Sequence, residues 1–177
     1  MTIRRYEDAD LTPDSSFLQA LQHEAGRDGR AVVVGAVIID AKGRAFVHRR
    51  APDRHLFPNC WDIAGGHVEP GETIYAALMR EVREETGWRV VKLLALIDRC
   101  DWEAEQDGHP RCRREFDFLV TVSGDLDHPL LEEGKATEYR WITPMELDLL
   151  KENRTVGDLT VYRIVKNGLA QSGDKLP

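Results

Sequence analysis

Three glutamates, Glu81, Glu84 and Glu85, stand at i, i+3 and i+4 in the stretch from Gly65 to Trp88. On a helix that spacing puts all three carboxylates on one side. The arrangement works against the helix. Like charges at i, i+4 cost roughly a few tenths of a kcal/mol each, and here they lie toward the negative end of the helix dipole. A divalent cation reverses the sign of that cost, and carboxylate oxygens are the donors that Mg²⁺ and Mn²⁺ prefer. Gly65 and Gly66 precede the helix, where absent side chains let backbone approach a metal or phosphate closely. Gly87 follows it, at the position of a terminating glycine. The stretch therefore reads as a metal-binding helix delivered by a glycine loop.

The elements that must position it follow from periodicity. Ala31–Ile39 is an almost continuous apolar run rich in valine, the pattern of a strand buried on both faces. Asp40-Ala41-Lys42-Gly43 is a turn. Arg44–Arg50 returns as a strand with Phe46, His48 and Arg50 on one side. Ala51–Cys60 is a loop, and Trp61–Ala64 a short strand entering the glycines. A helix is expected over Glu72–Thr86, with Ile74, Ala77, Leu78, Met79 and Val82 on its apolar stripe. Strands follow at Trp88–Trp102 and Arg111–Val122, joined by a polar turn, then an acidic loop over Ser123–Lys135 and a strand at Thr137–Ile142. Thr143-Pro144 opens a helix to about Lys151, and Asp158 or Thr160 opens a last one to about Ala170. A helix over Ser16–Glu24, capped by Asp14 or Ser15, precedes everything. The order β-β-β-α-β-β-β-α-α describes a mixed α/β fold, one mixed sheet between helices. The expected division is an N-terminal extension over 1–30, a single main domain over 31–171 and a frayed tail over 172–177.

The bulk numbers narrow the classes. The chain has 177 residues, 42% hydrophobic and 31% charged, which suits one globular domain rather than a disordered chain. A net charge of −7 argues against sequence-independent nucleic-acid binding. It does not oppose a small anionic substrate, because bound metal supplies local positive charge. No apolar run approaches the roughly 18 residues of a membrane span. The opening residues lack the apolar core of a signal peptide. Cys60, Cys100 and Cys112 lack metal-site spacing and read as reduced thiols, so a cytoplasmic location is expected.

Gly66, then five residues, Glu72, then seven residues and Arg80-Glu81-Val82-Arg83-Glu84-Glu85-Thr86-Gly87-Trp88 resembles the Nudix box at every specified position. A chance match at one window is on the order of 10⁻⁸ at ordinary residue frequencies, so the motif is specific. The resemblance implies a Nudix-like mixed sheet between helices and Mg²⁺- or Mn²⁺-dependent hydrolysis of a nucleoside diphosphate linked to another group. Water would attack phosphorus and commonly release a monophosphate. Carried over residue by residue, it implies Glu81, Glu84 and Glu85 as metal ligands and the Gly65 carbonyl as a further one. Arg80 would orient the glutamates, with Glu72 as its partner or as a water-mediated outer ligand of the metal. Glu133 resembles an acid that a loop brings to the metals in some members, with Glu132 and Glu138 as alternatives. Arg49 resembles an arginine that contacts the nucleotide, and Gly66 lies against the substrate.

Neighbouring residues carry blander expectations. His67 reads as a loop histidine, Trp61 and Trp102 as packing rather than base stacking, and Arg111, Arg113 and Arg114 as a solvated hairpin rather than a phosphate path. Some relatives carry a proline or tyrosine 15 to 18 residues past the box; Trp102–Glu105 here has neither. The expected substrate is therefore a nucleoside triphosphate or modified nucleotide. Competing classes are a nucleotide-sensing domain and an isopentenyl diphosphate isomerase. The isomerase would need a cysteine where Gly65 stands. Expected partners are a small nucleotide or diphosphate, with neither nucleic acid nor membrane. The N-terminal segment is expected either to pack on the body or to form a homodimer contact.

Overall fold

The long apolar run becomes β2 (Ala31–Ile38), and its neighbours explain its composition. It pairs antiparallel with β5 (Ala64–His67) and parallel with β7 (His109–Ser123), so it lies inside a sheet. Val34, Ala36 and Ile38 join one apolar core. Val37 and the adjoining Ile39 join a second core on the other face. Both faces are covered, so both sets of side chains must be apolar. The computed structural model describes residues 4–5, 13–106 and 109–175.

The single sheet expected divides into two. The larger has the order β1-β6-β7-β2-β5, with β1 at Arg4–Arg5 and β6 at Arg89–Gln106. The smaller has the order β4-β3-β8, with β3 at Ala45–Arg50, β4 at Trp61–Asp62 and β8 at Ala136–Ile142. The physical reason is partner choice after the Asp40–Gly43 turn. β3 keeps one bridge to the residue just past β2, Ala45 to Ile39, and then pairs with β8 and β4. The chain crosses between sheets at Ile63, between β4 and β5. The crossing places Gly65 and Gly66 beside the face of β3 that carries His48 and Arg50. β6 and β7 form a longer hairpin than expected, with strand continuing to Gln106 and resuming at His109.

α1 (Ser15–Arg27) is capped by Asp14, whose carboxylate accepts from Phe17 N–H at 2.8 Å. Its buried Leu18, Leu21 and Ala25 join the first core, so it packs on the body. Charges fasten its far end. Arg114, only 1% exposed, makes two hydrogen bonds to Asp101 at 2.7 and 3.0 Å and ion pairs with Glu24 and Asp28. Arg99 also pairs with Glu24. Arg113 and Arg114 are buried, which corrects the solvated-hairpin expectation; Arg111 is exposed. The strand pattern hid this, because an arginine that faces a packed helix looks the same in sequence as one that faces water.

α2 (Ile74–Thr86) begins two residues after the expected start. Thr73 caps it, accepting from Ala76 N–H at 3.1 Å, which leaves Glu72 in the loop. Gly87 closes it at φ +75°, a conformation that disfavours a Cβ. Pro144–Lys151 is a 3₁₀ segment rather than an α-helix, and α3 (Thr160–Lys175) packs over the second core.

Candidate active site

The row of glutamates is held by one arginine. Arg80 meets Glu72 through two parallel bonds, Nε to Oε1 and Nη2 to Oε2, each 3.0 Å. Its Nη1 reaches Glu81 at 2.7 Å and Glu84 at 3.2 Å, and its Nη2 also donates to the His67 carbonyl at 3.0 Å. The hydrogen bond with Glu72 pushes Arg80 further above its usual range and holds Glu72 below the usual carboxylate range. The clamp is thus permanently charged. It spaces two like-charged neighbours and ties the helix to the loop.

Glu85 is anchored separately. Its Oε2 accepts from Gly65 N–H at 3.0 Å, and Lys135 Nζ stands 3.9 Å from its Oε1. Burial dominates its chemistry. Despite those two favourable contacts, its pKa is raised from 4.5 to about 8. Glu81 is also buried, and Gly66 makes room for it: a Cβ on Gly66 would lie 2.2 Å from Glu81 Oε1. Glu84 is exposed. The structure therefore brings together Glu72, Arg80, Glu81, Glu84, Glu85, Gly65 and Gly66.

The donor set suits a hard divalent cation. Buried carboxylates are costly without a counter-charge, and Glu85 carries that cost in its raised pKa. Among the described residues no three His, Cys, Asp or Glu side chains surround one point closely enough to hold an ion. Arg80 is the cation that Glu81 and Glu84 share here, so coordination requires their carboxylates to turn from it.

Glu81 and Glu85 line a polar cavity of about 230 Å³, together with His48, Arg50, Arg54, Gly65, Gly66, His67, Glu69 and Lys135. Burial lowers His48 to about 4, so its imidazole is neutral at physiological pH. A second cavity of about 210 Å³ shares Arg50, Arg54, Gly65, Gly66 and His67 with the first. Leu56, Phe57, Ile63, Trp102 and Glu115 lie on its wall. Burial, with nearby acids such as Asp62, raises Glu115 to about 7, and Asp117 is raised for the same reason. His67 Nε2 accepts from Arg113 Nε at 2.9 Å, so His67 has a fixed partner.

Two expected site residues stand apart. Arg49 binds Glu138 at 2.9 Å and the Asn59 carbonyl at 3.1 Å, and its guanidinium lies over the Trp61 ring. Its neighbour Arg50 lines the cavity instead. The alternation that put His48 and Arg50 on one side of the strand was the available signal. Glu133 is exposed. From the same loop it is Lys135 that reaches the carboxylates, and no local pattern marked it. Cys60 is buried and donates to the Asn153 carbonyl, outside both cavities.

Residues 29–163 match the NUDIX domain, and the chain belongs to the NUDIX family. It is a Nudix hydrolase. Among its relatives, the nucleoside triphosphatase NudI of Escherichia coli K12 is 33% identical over 119 residues, covering 62% of this chain and 80% of that protein. The nucleoside triphosphatase NudI of Salmonella agona is 33% identical over 125 residues, covering 66% and 84%. The MutT NUDIX hydrolase of Burkholderia pseudomallei shares the fold at TM-score 0.58 and 24% identity, covering 77% of this chain and 98% of that one. A NUDIX hydrolase of Nitrosomonas europaea does so at TM-score 0.59 and 24% identity, covering 84% and 93%.

Proposed function

We propose that the protein hydrolyses a nucleoside triphosphate or modified nucleotide to the monophosphate, with Mg²⁺ or Mn²⁺, by water attack at phosphorus. The observation that carries this reading is the Arg80 clamp. It holds Glu81 and Glu84 in a row with the Gly65-anchored Glu85, and Glu81 and Glu85 line a cavity together with Arg50, Arg54 and Lys135. Carboxylates and cations lining one cavity suit a metal-bound polyphosphate, which carries both signs of charge. The nucleoside triphosphatase activity for which the NudI relatives are named supports the triphosphate choice.

Glu81, Glu84, Glu85 and the Gly65 carbonyl would hold the metal. When bound, it neutralises phosphate charge and activates a water. The chain does the rest. Arg80 and Glu72 fix the helix against the loop, so the carboxylates hold their spacing. Arg50 and Arg54 lie between the two cavities and bind phosphate oxygens. Trp102 and Phe57 give the second cavity aromatic faces for a nucleobase. As the water oxygen bonds to phosphorus, the bridging P–O bond breaks and the water proton passes to a carboxylate of the cavity. Glu133 takes part in proton removal only if the loop before β8 closes over the cavity.

The test is a nucleotide panel with Mg²⁺ and with Mn²⁺. Wild type turns over at least one nucleoside triphosphate, and Glu84→Gln loses on the order of a hundredfold or more in kcat. Absence of metal-dependent turnover on a broad panel would remove the hydrolase reading and favour a nucleotide sensor.

A further inference from the structure

The loop before β8 is rich in acids: Asp125, Asp127, Glu132 and Glu133. The side chain it sends into the carboxylate cavity is nevertheless a cation, Lys135. Its position is fixed by backbone rather than by chance. The Lys135 carbonyl accepts from Ala51 N–H at 2.9 Å, and Lys135 N–H donates to the Glu132 carbonyl at 3.1 Å. The next residue, Ala136, pairs with Arg50 at the start of β8. Lys135 is thus stitched to the end of β3, beside the arginine that also lines the cavity.

Its head group has two carboxylate partners of unequal closeness. Glu132 Oε2 lies 2.7 Å from Nζ, and Glu85 Oε1 lies 3.9 Å away. Burial alone would lower the Lys135 pKa. The contact with Glu132 at 2.7 Å opposes that, and the ammonium stays charged. The side chain is 31% exposed, so it has room to turn. The longer contact is no hydrogen bond, and it gains the charge attraction of an ion pair only when Glu85 gives up its proton, as metal coordination also requires. A divalent cation on Glu85 would cancel that attraction and repel the ammonium. Glu132 would keep the lysine at the cavity edge, where the next anion to arrive is the substrate diphosphate.

Resting on the hydrolase reading above, we propose that Lys135 is a catalytic residue that changes partner as the site loads. It holds Glu85 in the metal-free protein and binds the substrate's phosphate chain once metal occupies the carboxylates. As the bridging P–O bond breaks, the electron pair moves onto the leaving oxygen, and the Lys135 ammonium stabilises that charge. The ammonium need not give up its proton.

The proposal makes two readouts move in opposite directions. Lys135→Met keeps the length of the side chain and removes the charge. Binding of Mn²⁺ to substrate-free protein above about pH 8, where Glu85 is ionised, followed by electron paramagnetic resonance, becomes about threefold to tenfold tighter, because a cation competing for Glu85 is gone. Meanwhile kcat/KM falls about tenfold to hundredfold, and Lys135→Arg recovers most of it. A Lys135→Met variant within about twofold of wild type in kcat/KM overturns the proposal. So does a variant that loses Mn²⁺ binding and activity together, which marks a merely structural ion pair. Wild-type protein without metal-dependent turnover overturns the hydrolase reading itself, and the catalytic role with it. Active wild type with an indifferent Lys135→Met overturns this proposal alone.

Discussion

Replacing Glu85 with glutamine should stabilise the metal-free protein while abolishing its activity. Glu85 is raised from 4.5 to about 8, first by burial and less by the charges of Glu81 and Asp62, against the opposing Gly65 hydrogen bond and Lys135. In the unfolded chain it loses its proton near 4.5; in the folded chain it keeps it until about 8. Between those values the folded state binds more protons, so stability falls as pH rises through that window and levels off above it. The gap, at about 1.4 kcal/mol per pH unit, sets a ceiling of about 5 kcal/mol at pH 8. Glutamine keeps an oxygen for Gly65 N–H and never ionises. In a chain of this size about 1 kcal/mol corresponds to about 2–4 °C in Tm. Thermal unfolding in chelator should therefore show Glu85→Gln and wild type close together near pH 4.5. The variant should pull ahead steadily, by about 10 °C at pH 8. Mg²⁺ should close most of that gap by stabilising wild type, and do little for the variant. Parallel Tm curves from pH 4.5 to 8 would refute the reasoning, because they would mean that Glu85 ionises in the fold as freely as in water.

Three further outcomes follow from the same contacts. Gln22 on α1 donates to the Glu72 carbonyl at 2.7 Å and accepts from Ile74 N–H at 3.2 Å, so Gln22→Leu should cost about 1–3 kcal/mol in unfolding and lower kcat severalfold at unchanged KM. Arg80→Lys cannot reproduce the paired bonds to Glu72 or span Glu81 and Glu84, and should lose about tenfold or more in kcat together with Mn²⁺ affinity measured by calorimetry. Glu115 is raised to about 7 mainly by burial, so the KM of a nucleotide that occupies the second cavity should change through pH 7 as that carboxyl ionises, and Glu115→Gln should give a flat profile.

The sequence made local features legible and left tertiary ones hidden. The carboxylate row and the closing Gly87 belong to one helix and its end, where spacing determines which groups meet, whereas the Arg80–Glu72 partnership was implied only by the resemblance to the Nudix box. The cap at Thr73 was missed because Glu72 continues the helical pattern; only the clamp explains why it stays outside. The division into two sheets depends on β3 choosing β8, some ninety residues away, over β2, and periodicity does not encode that choice. The same long-range pairing carries Lys135 to the site and turns Arg49 toward Glu138. The burial of Arg113 and Arg114 was equally unreadable, since it depends on which elements cover the hairpin.

Hydrolysis in ¹⁸O-labelled water, with Mg²⁺ and the best nucleoside triphosphate of the panel, tests the central claim most directly. Mass spectrometry of the products should find one labelled oxygen on phosphorus in one of the two products, at a rate that vanishes with chelator and with Glu84→Gln. Product formation that persists in chelator, or that is unaffected by Glu84→Gln, would contradict the assignment of the carboxylate row to a metal-activated attack on the diphosphate.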